Sequence, residues 1–405
     1  MSTASRHARL QELFGAARRL EPAEREDFLR TACADDATLR VEVEQLLAHD
    51  LDARETFAAQ AGGQAARMLL RELETSGAAA LQASLQPIPA TIGDFDVLGV
   101  IGEGGMGIVY EALQRDPPRR VAVKVIRPGA MTPELLRRFR QEARVLAQLE
   151  HPGIARIYAT GTADRGQGGQ PFFARELVKG RRLLDYAEGE HLGTRARLEL
   201  VARICDALHH AHQHGVVHRD LKPANIVVTE GTEPSRSEDR RAPPALGQPM
   251  ILDFGVARAM DADIQTVTLH TGVGQLVGTV PYMSPEQASG DSTRIDARSD
   301  VYSVGVLTFE LLTGQLPHDV RGKQIHEAVS VIREHEPSRL SVLDRTLRGD
   351  VETIVAKALE KEPERRYSSA AELAADLRRF LCDEPIQARP ASSTYQLRKF
   401  ARRNK

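Results

Sequence analysis

Between residues 95 and 126 the apolar positions fall in short runs, and these predict strands over Phe95–Val100, Gly107–Leu113 and Val121–Ile126, the last rich in β-branched residues. The spacing then lengthens. Pro133 opens a predicted helix running to Leu149, with Leu135, Phe139, Val145, Leu146 and Leu149 as its apolar positions. Beyond Leu183 helical periodicity dominates, with helices predicted over Leu198–His214, Val301–Leu312, Val351–Leu359 and Ala370–Leu381. Strands followed by helices predict an α+β protein of two lobes, a small β-rich one and a large helical one, with a ligand cleft between them.

Ahead of this region residues 1–50 read as a small helical segment. Leu10, Leu13, Phe14, Ala17 and Leu20 recur at helix spacing, Pro22 suits a first turn, and Asp35 or Asp36 can cap a stretch with Leu39, Val43, Leu46 and Leu47 on one face. Residues 51–92 turn to Ala, Gln and Gly with Pro87 and Pro89, the texture of a linker. The chemistry-bearing domain is expected over 93–383, and 384–405 is a basic tail.

Composition narrows the function classes. There are 54 Lys plus Arg against 56 Asp plus Glu, a net charge of −2, which gives no sign of a nucleic-acid binder. The 41% apolar content is enough to bury a core and excludes wholesale disorder. No run of about eighteen apolar residues spans a bilayer, and Met1–Leu10 lacks the apolar stretch of a secretory signal. Cys33, Cys205 and Cys382 lie too far apart for a disulfide framework or a zinc site, which points to a reducing, cytoplasmic setting.

Three short motifs carry chemistry. Gly102, Gly104 and Gly107 form G-x-G-x-x-G-x-V with Val109, a turn that lets backbone approach phosphate, and a strand rather than a helix follows it. Lys124 ends the apolar Val121-Ala-Val-Lys run and needs a partner when buried; Glu142, inside the next helix, is the candidate. His218-Arg-Asp-Leu-Lys-Pro-Ala-Asn225 followed by Ile251-Leu-Asp253-Phe-Gly255 supplies a base, a cation and two oxygen ligands for a hard metal ion.

Taken together and in this order, from about Phe95 to Leu381, these motifs resemble those of the bacterial Hanks-type serine/threonine protein kinases. The resemblance implies the two-lobed protein kinase fold and transfer of the γ-phosphate of Mg-ATP to Ser or Thr of proteins, this chain included. It implies Asp220, Lys222 and Lys124 as catalytic residues and Asn225 and Asp253 as ligands of Mg2+. It places ATP against Ile101, Gly102, Glu103, Gly104, Gly107, Val109, Ala122, Lys124, Glu142, Glu176 and Val178. Ser284-Pro-Glu286 matches the end of the activation segment, Asp300 the brace of the catalytic loop, and Arg366 the partner of Glu286. Thr279 fits a Ser/Thr-positioning segment, and Thr266, Thr268 and Thr271 are candidate phosphosites that would pair with Arg219.

The chain departs from the family pattern in two places. Arg175 stands where an apolar residue usually precedes the hinge glutamate, and its guanidinium needs a partner, with Glu142 or Asp253 nearest. Residues 230–249, polar and Pro-rich, lengthen the span from Asn225 to Asp253 and read as a surface loop. The alternative function is a nucleotide-binding scaffold compromised by Arg175; a small-molecule kinase fits less well, because Gly278–Glu286 has the look of a peptide-docking segment. His209, His210, His212 and His214 lack the companions of a zinc set. The tail, with Arg389, Arg398, Lys399, Arg402, Arg403 and Lys405, is of the kind that precedes a membrane span in similar kinases, so anchoring of a longer chain is an expectation; no nucleic-acid partner is expected and the oligomeric state is open.

Overall fold

In the first lobe, strand alternation sorts two sets of side chains to opposite faces of one sheet. The computed structural model describes residues 28–30, 40, 88–104, 107–126, 141, 143–164, 169–229, 246–254, 279–321 and 323–389. Six antiparallel strands run β1 (Thr91–Ile92), β2 (Phe95–Gly104), β3 (Gly107–Gln114), β4 (Arg119–Ile126), β5 (Ile157–Asp164) and β6 (Gly169–Glu176), in the spatial order β1-β2-β3-β4-β6-β5. Val121, Val123 and Val125 of β4 pack with Phe172 and Ala174 of β6 and with Tyr110, Ala112 and Phe95 in the small-lobe core. Phe95 and Phe172 meet edge to face at 5.9 Å, the arrangement their quadrupoles favour. The alternate residues, Ala122 and Lys124 of β4 with Phe173 and Arg175 of β6, stand opposite one another in register on the other face. That face looks into the cleft.

Short β7 (Arg181–Arg182), α1 (Leu183–Gly189) and α2 (Thr194–Gln213) lead into the second lobe. Leu198, Val201, Ile204, Cys205 and Leu208 of α2 are fully buried. β8 (Ile226–Thr229) and β9 (Gln248–Ile251) join β7 in a small antiparallel sheet of order β7-β8-β9. Then come α3 (Pro285–Ala288), α4 (Ala297–Thr313), α5 (Ile325–Glu334), α6 (Asp350–Ala358) and α7 (Ala370–Leu381). α4 is buried from Ser299 to Leu311 on every face, so it is the axle on which α2, α6 and α7 pack. Asp296 caps its start and Gly314, at φ 70, its end.

The predicted strands, and the helices predicted beyond Leu183, are present with small extensions, Phe95–Val100 reaching Gly104 and Leu198–His214 starting at Thr194. Of the helix expected over Pro133–Leu149 only 141 and 143–149 are described, helical as far as 146, and the rest lies outside the described residues. One boundary is corrected. Gln248 and Pro249, placed by sequence in the 230–249 loop, belong to β9 and pair with Thr229 and Val228. Proline is tolerated there because β9 is the edge of its sheet. Residues 28–30 and 40 are helical, and the rest of the N-terminal segment, the linker up to 87 and the tail from 390 lie outside the described residues. Among the described residues no helix is long and apolar enough to cross a membrane.

Candidate active site

The loop after α2 is built around Asp300 of α4. Its Oδ2 lies 2.7 Å from His212 Nε2 and accepts the His218 N–H at 2.8 Å, while Oδ1 accepts the Arg219 N–H at 2.9 Å. Burial raises the carboxyl's pKa, but the His212 and His218 interactions outweigh it and hold Asp300 ionised, below its usual range. Arg219 sits at φ 62, a left-handed conformation costly for a non-glycine residue, and the two anchors on Asp300 keep it there. His218 is fully buried and kept neutral by that burial, although Asp300, Asp220 and Asp253 pull the other way. Its ring packs on Phe254 at 4.8 Å and its Nδ1 accepts the Asp220 N–H at 3.2 Å. The bend therefore aims the next side chain, Asp220, into the cleft.

Around Asp220 the predicted residues converge. Lys222 Nζ lies 3.1 Å from Asp220 Oδ2 and donates to Thr279 Oγ1 at 2.7 Å. Asn225 Nδ2 donates to the Asp220 carbonyl at 2.8 Å and to its Oδ2 at 3.2 Å. With its nitrogen so engaged, the Asn225 amide turns its oxygen away from Asp220.

On the cleft's other wall Lys124 Nζ donates to Asp253 Oδ2 at 3.0 Å. The sequence expects a Lys124–Glu142 pair. Glu142 lies outside the described residues; among the described residues the lysine is bound to Asp253. Arg175, 7% exposed, brings Nε to 3.3 Å from Asp253 Oδ1; of its two expected partners Asp253 is the one among the described residues, and Glu142 lies outside them. That N–H is not aimed at the oxygen, and the contact is ionic rather than hydrogen-bonded. Burial alone would raise the Asp253 pKa, but Arg175 first and Lys124 second overcome it and hold the carboxyl at about 2.

The glycine turn closes β2 onto β3, with Gly104 opposite Gly107, Glu103 opposite Ile108 and Gly102 opposite Val109. Gly107 is required by close approach, because a Cβ there would fall 2.0 Å from the Val125 carbonyl oxygen on β4. At Gly102 a Cβ would meet only Val109, at 3.8 Å. Val109 faces Lys124 across β3–β4, Ala122 faces Arg175, and Ile101 is exposed at the cleft rim. Glu176 ends β6, its carboxylate near the Arg156 N–H, and Val178 lies on the strand-to-strand link between the lobes.

The acceptor side is anchored by a buried ion pair. Arg366 holds Glu286 through two parallel bonds of 2.7 and 2.8 Å, and its remaining donors meet the carbonyls of Arg298, Glu360 and Lys361. Ser299 adds a third bond to Glu286, at 2.6 Å. Ser284 caps α3 in a capping box with Gln287, whose Nε2 reaches the Arg219 carbonyl at 2.8 Å. Sequence spacing gives no reason to single out Gln287 or His212; both matter only through folded contacts with the catalytic loop. Thr266, Thr268 and Thr271 lie outside the described residues.

The donor set suits a hard divalent cation. The side-chain oxygen of Asn225 and the carboxylate of Asp253, whose Oδ1 accepts no hydrogen bond, are oxygen ligands of the type Mg2+ takes.

Comparison with known proteins agrees with this geometry. The protein kinase domain family matches residues 95–377. The chain is 40% identical over 304 residues to the serine/threonine-protein kinase PknB of Mycobacterium tuberculosis, covering 74% of this chain and 45% of that protein. It is 39% identical over 303 residues to PknB of Mycobacterium leprae, with 74% and 45% covered. The crystal structure of the Mycobacterium tuberculosis PknI kinase domain superposes with a TM-score of 0.53 at 26% identity, over 72% of this chain and 99% of that one. The chain spans less than half the length of the curated relatives it matches. On its motifs, its two lobes and these matches, the chain belongs to the protein kinase family, among the bacterial Hanks-type serine/threonine kinases.

Proposed function

We propose that this chain transfers the γ-phosphoryl group of Mg-ATP to Ser or Thr hydroxyls of proteins, its own included, in a cytoplasmic setting. The observation that carries the reading is the convergence of Asp220, Lys222 and Asn225 beside Thr279. When bound, Mg-ATP supplies the phosphoryl group and the charge that draws electron density toward its leaving oxygen.

The protein's own groups do the positioning. Asp220, kept in the cleft by the bend at Arg219, accepts the proton of the acceptor hydroxyl as its oxygen bonds to phosphorus and the bond to the ADP oxygen breaks. Lys222 is shared between Asp220 and Thr279, and its positive charge would neutralise charge gathering on the transferring phosphoryl group. Asn225 and Asp253 are the candidate metal ligands, Lys124 the candidate phosphate cation, and Ile101, Gly102, Glu103, Gly104, Gly107, Val109, Ala122, Glu176 and Val178 the candidate nucleotide walls. Glu142 is carried over from sequence alone.

The ion pair of Arg175 with Asp253 favours one alternative, a nucleotide-binding scaffold of low turnover. Phosphoamino-acid analysis of the protein after incubation with Mg-ATP separates these readings. Phosphoserine or phosphothreonine, absent in Asp220→Asn, is the expected result. Nucleotide binding without any phosphorylated residue would favour the scaffold.

A further inference from the structure

Strand register delivers an unexpected charge to the back of the cleft. Arg175 and Phe173 share one face of β6, and Arg175 stands opposite Ala122, two residues from Lys124. Its side chain is almost fully buried, and among the described residues Asp253 is the carboxylate it meets, at 3.3 Å. Lys124 takes the other oxygen of the same group at 3.0 Å. Asp253 therefore carries one cation on each oxygen. Among the described residues, Lys124, Arg175 and Lys222 contact two carboxylates of the cleft, Asp220 and Asp253.

A divalent cation bound by Asp253 adds two positive charges beside the two already there, in a setting where charges at 3–4 Å interact far more strongly than in water. The Arg175 contact is ionic and uses no directed hydrogen bond, so the lone pairs of Oδ1 remain open to a metal, while the electrostatic cost of bringing that metal in is raised. Of the two cations on this carboxylate, Lys124 takes Oδ2 and Arg175 adds the second charge at Oδ1.

We propose that Arg175 is a resident cation that competes with Mg2+ for Asp253 and so sets the Mg2+ concentration at which the nucleotide site fills. The chain then engages Mg-ATP only when free Mg2+ is high enough to offset the guanidinium. This rests on the Mg-ATP reading above and adds a positioning residue to it.

The test is equilibrium binding of a fluorescent, non-hydrolysable ATP analogue at fixed concentration while free Mg2+ is titrated, which needs no turnover. Wild type, Arg175→Met and Arg175→Lys are compared, with a thermal melt of each. The expected result is a fall of about tenfold in the Mg2+ midpoint for Arg175→Met, the scale of one removed like charge coupled to a bound ion, and a near wild-type midpoint for Arg175→Lys, which keeps the charge. If Arg175→Met melts before it can be titrated, Arg175→Gln takes its place, neutral yet able to hydrogen-bond, and the same fall is expected. Saturable binding with the same or a higher midpoint in the neutral variant overturns the competition while leaving the Mg-ATP reading intact. No binding to wild type at any Mg2+ concentration overturns both.

Discussion

The Oδ1 atom of Asp300 accepts the peptide N–H of Arg219 at 2.9 Å across 81 residues of chain, and this contact fixes the bend that presents Asp220. The other oxygen binds His218 and His212, so one buried carboxylate organises the whole catalytic loop. Replacing it by alanine strands three donors. Asp300→Ala is expected to lose about 3 kcal/mol of stability and, because Arg219 relaxes from φ 62, to lower kcat more than it raises KM for ATP. Urea unfolding and steady-state kinetics check the two halves.

Glu286 and Arg366 form the best satisfied ion pair among the described residues, with all five guanidinium donors used. Removing either partner leaves the other charge buried, so Arg366→Met or Glu286→Gln should cost about 3–5 kcal/mol. The double variant Glu286→Gln with Arg366→Met should cost less than the sum of the two single changes. Urea midpoints of all four proteins give the coupling directly.

Acid sensitivity is expected from His318. Its Nε2 lies 3.2 Å from Tyr302 Oη and 3.0 Å from Lys361 Nζ, and burial, then Lys361, then His335 push its pKa down to about 4. Glu336 is the charge that favours Lys361, itself lowered to about 8 chiefly by burial. The folded protein thus refuses a proton that the unfolded chain, with histidine near 6.5, takes up. Stability falls as pH drops through 6.5 toward 4, by about 2 kcal/mol between pH 7.5 and 5. Chemical denaturation at the two pH values should show that slope, and His318→Phe should flatten it.

The glycine turn separates two roles for glycine. Gly107→Ala must push β3 from β4, since its Cβ would overlap the Val125 carbonyl, and it should unfold the small lobe at a lower temperature and weaken nucleotide binding at least tenfold. Gly102→Ala meets only ordinary contact and should melt within a degree or two of wild type. Thermal melts and nucleotide titration of the two variants distinguish them.

Most of the site was legible because its residues lie in short contiguous strings. Asp220, Lys222 and Asn225 fall within six residues, and local chain geometry brings them together whatever the rest of the fold does. Asp300 and the Glu286–Arg366 pair were readable only through family resemblance, since their partners are 80 or more residues away along the chain. Arg175 was visible as a departure, and its two conceivable partners were named, but which one it takes depends on strand register between β4 and β6 that periodicity does not specify. The Lys124–Asp253 contact was not foreseen for the same reason: it joins strand and loop 129 residues apart. Pro249 was misassigned because proline signals a loop, whereas an edge strand leaves its missing N–H without consequence.

The central claim is that Asp220, Lys222, Asn225 and Asp253 make this chain an active Ser/Thr kinase. The most direct measurement is the transfer of labelled γ-phosphate from ATP, at saturating Mg2+, to the protein and to a generic Ser/Thr-containing basic protein, beside Asp220→Asn. Label on Ser or Thr with wild type, reduced by about 10²-fold or more in the variant, is the predicted result. Equal labelling by both proteins, or none by a wild type that binds Mg-ATP, would contradict it.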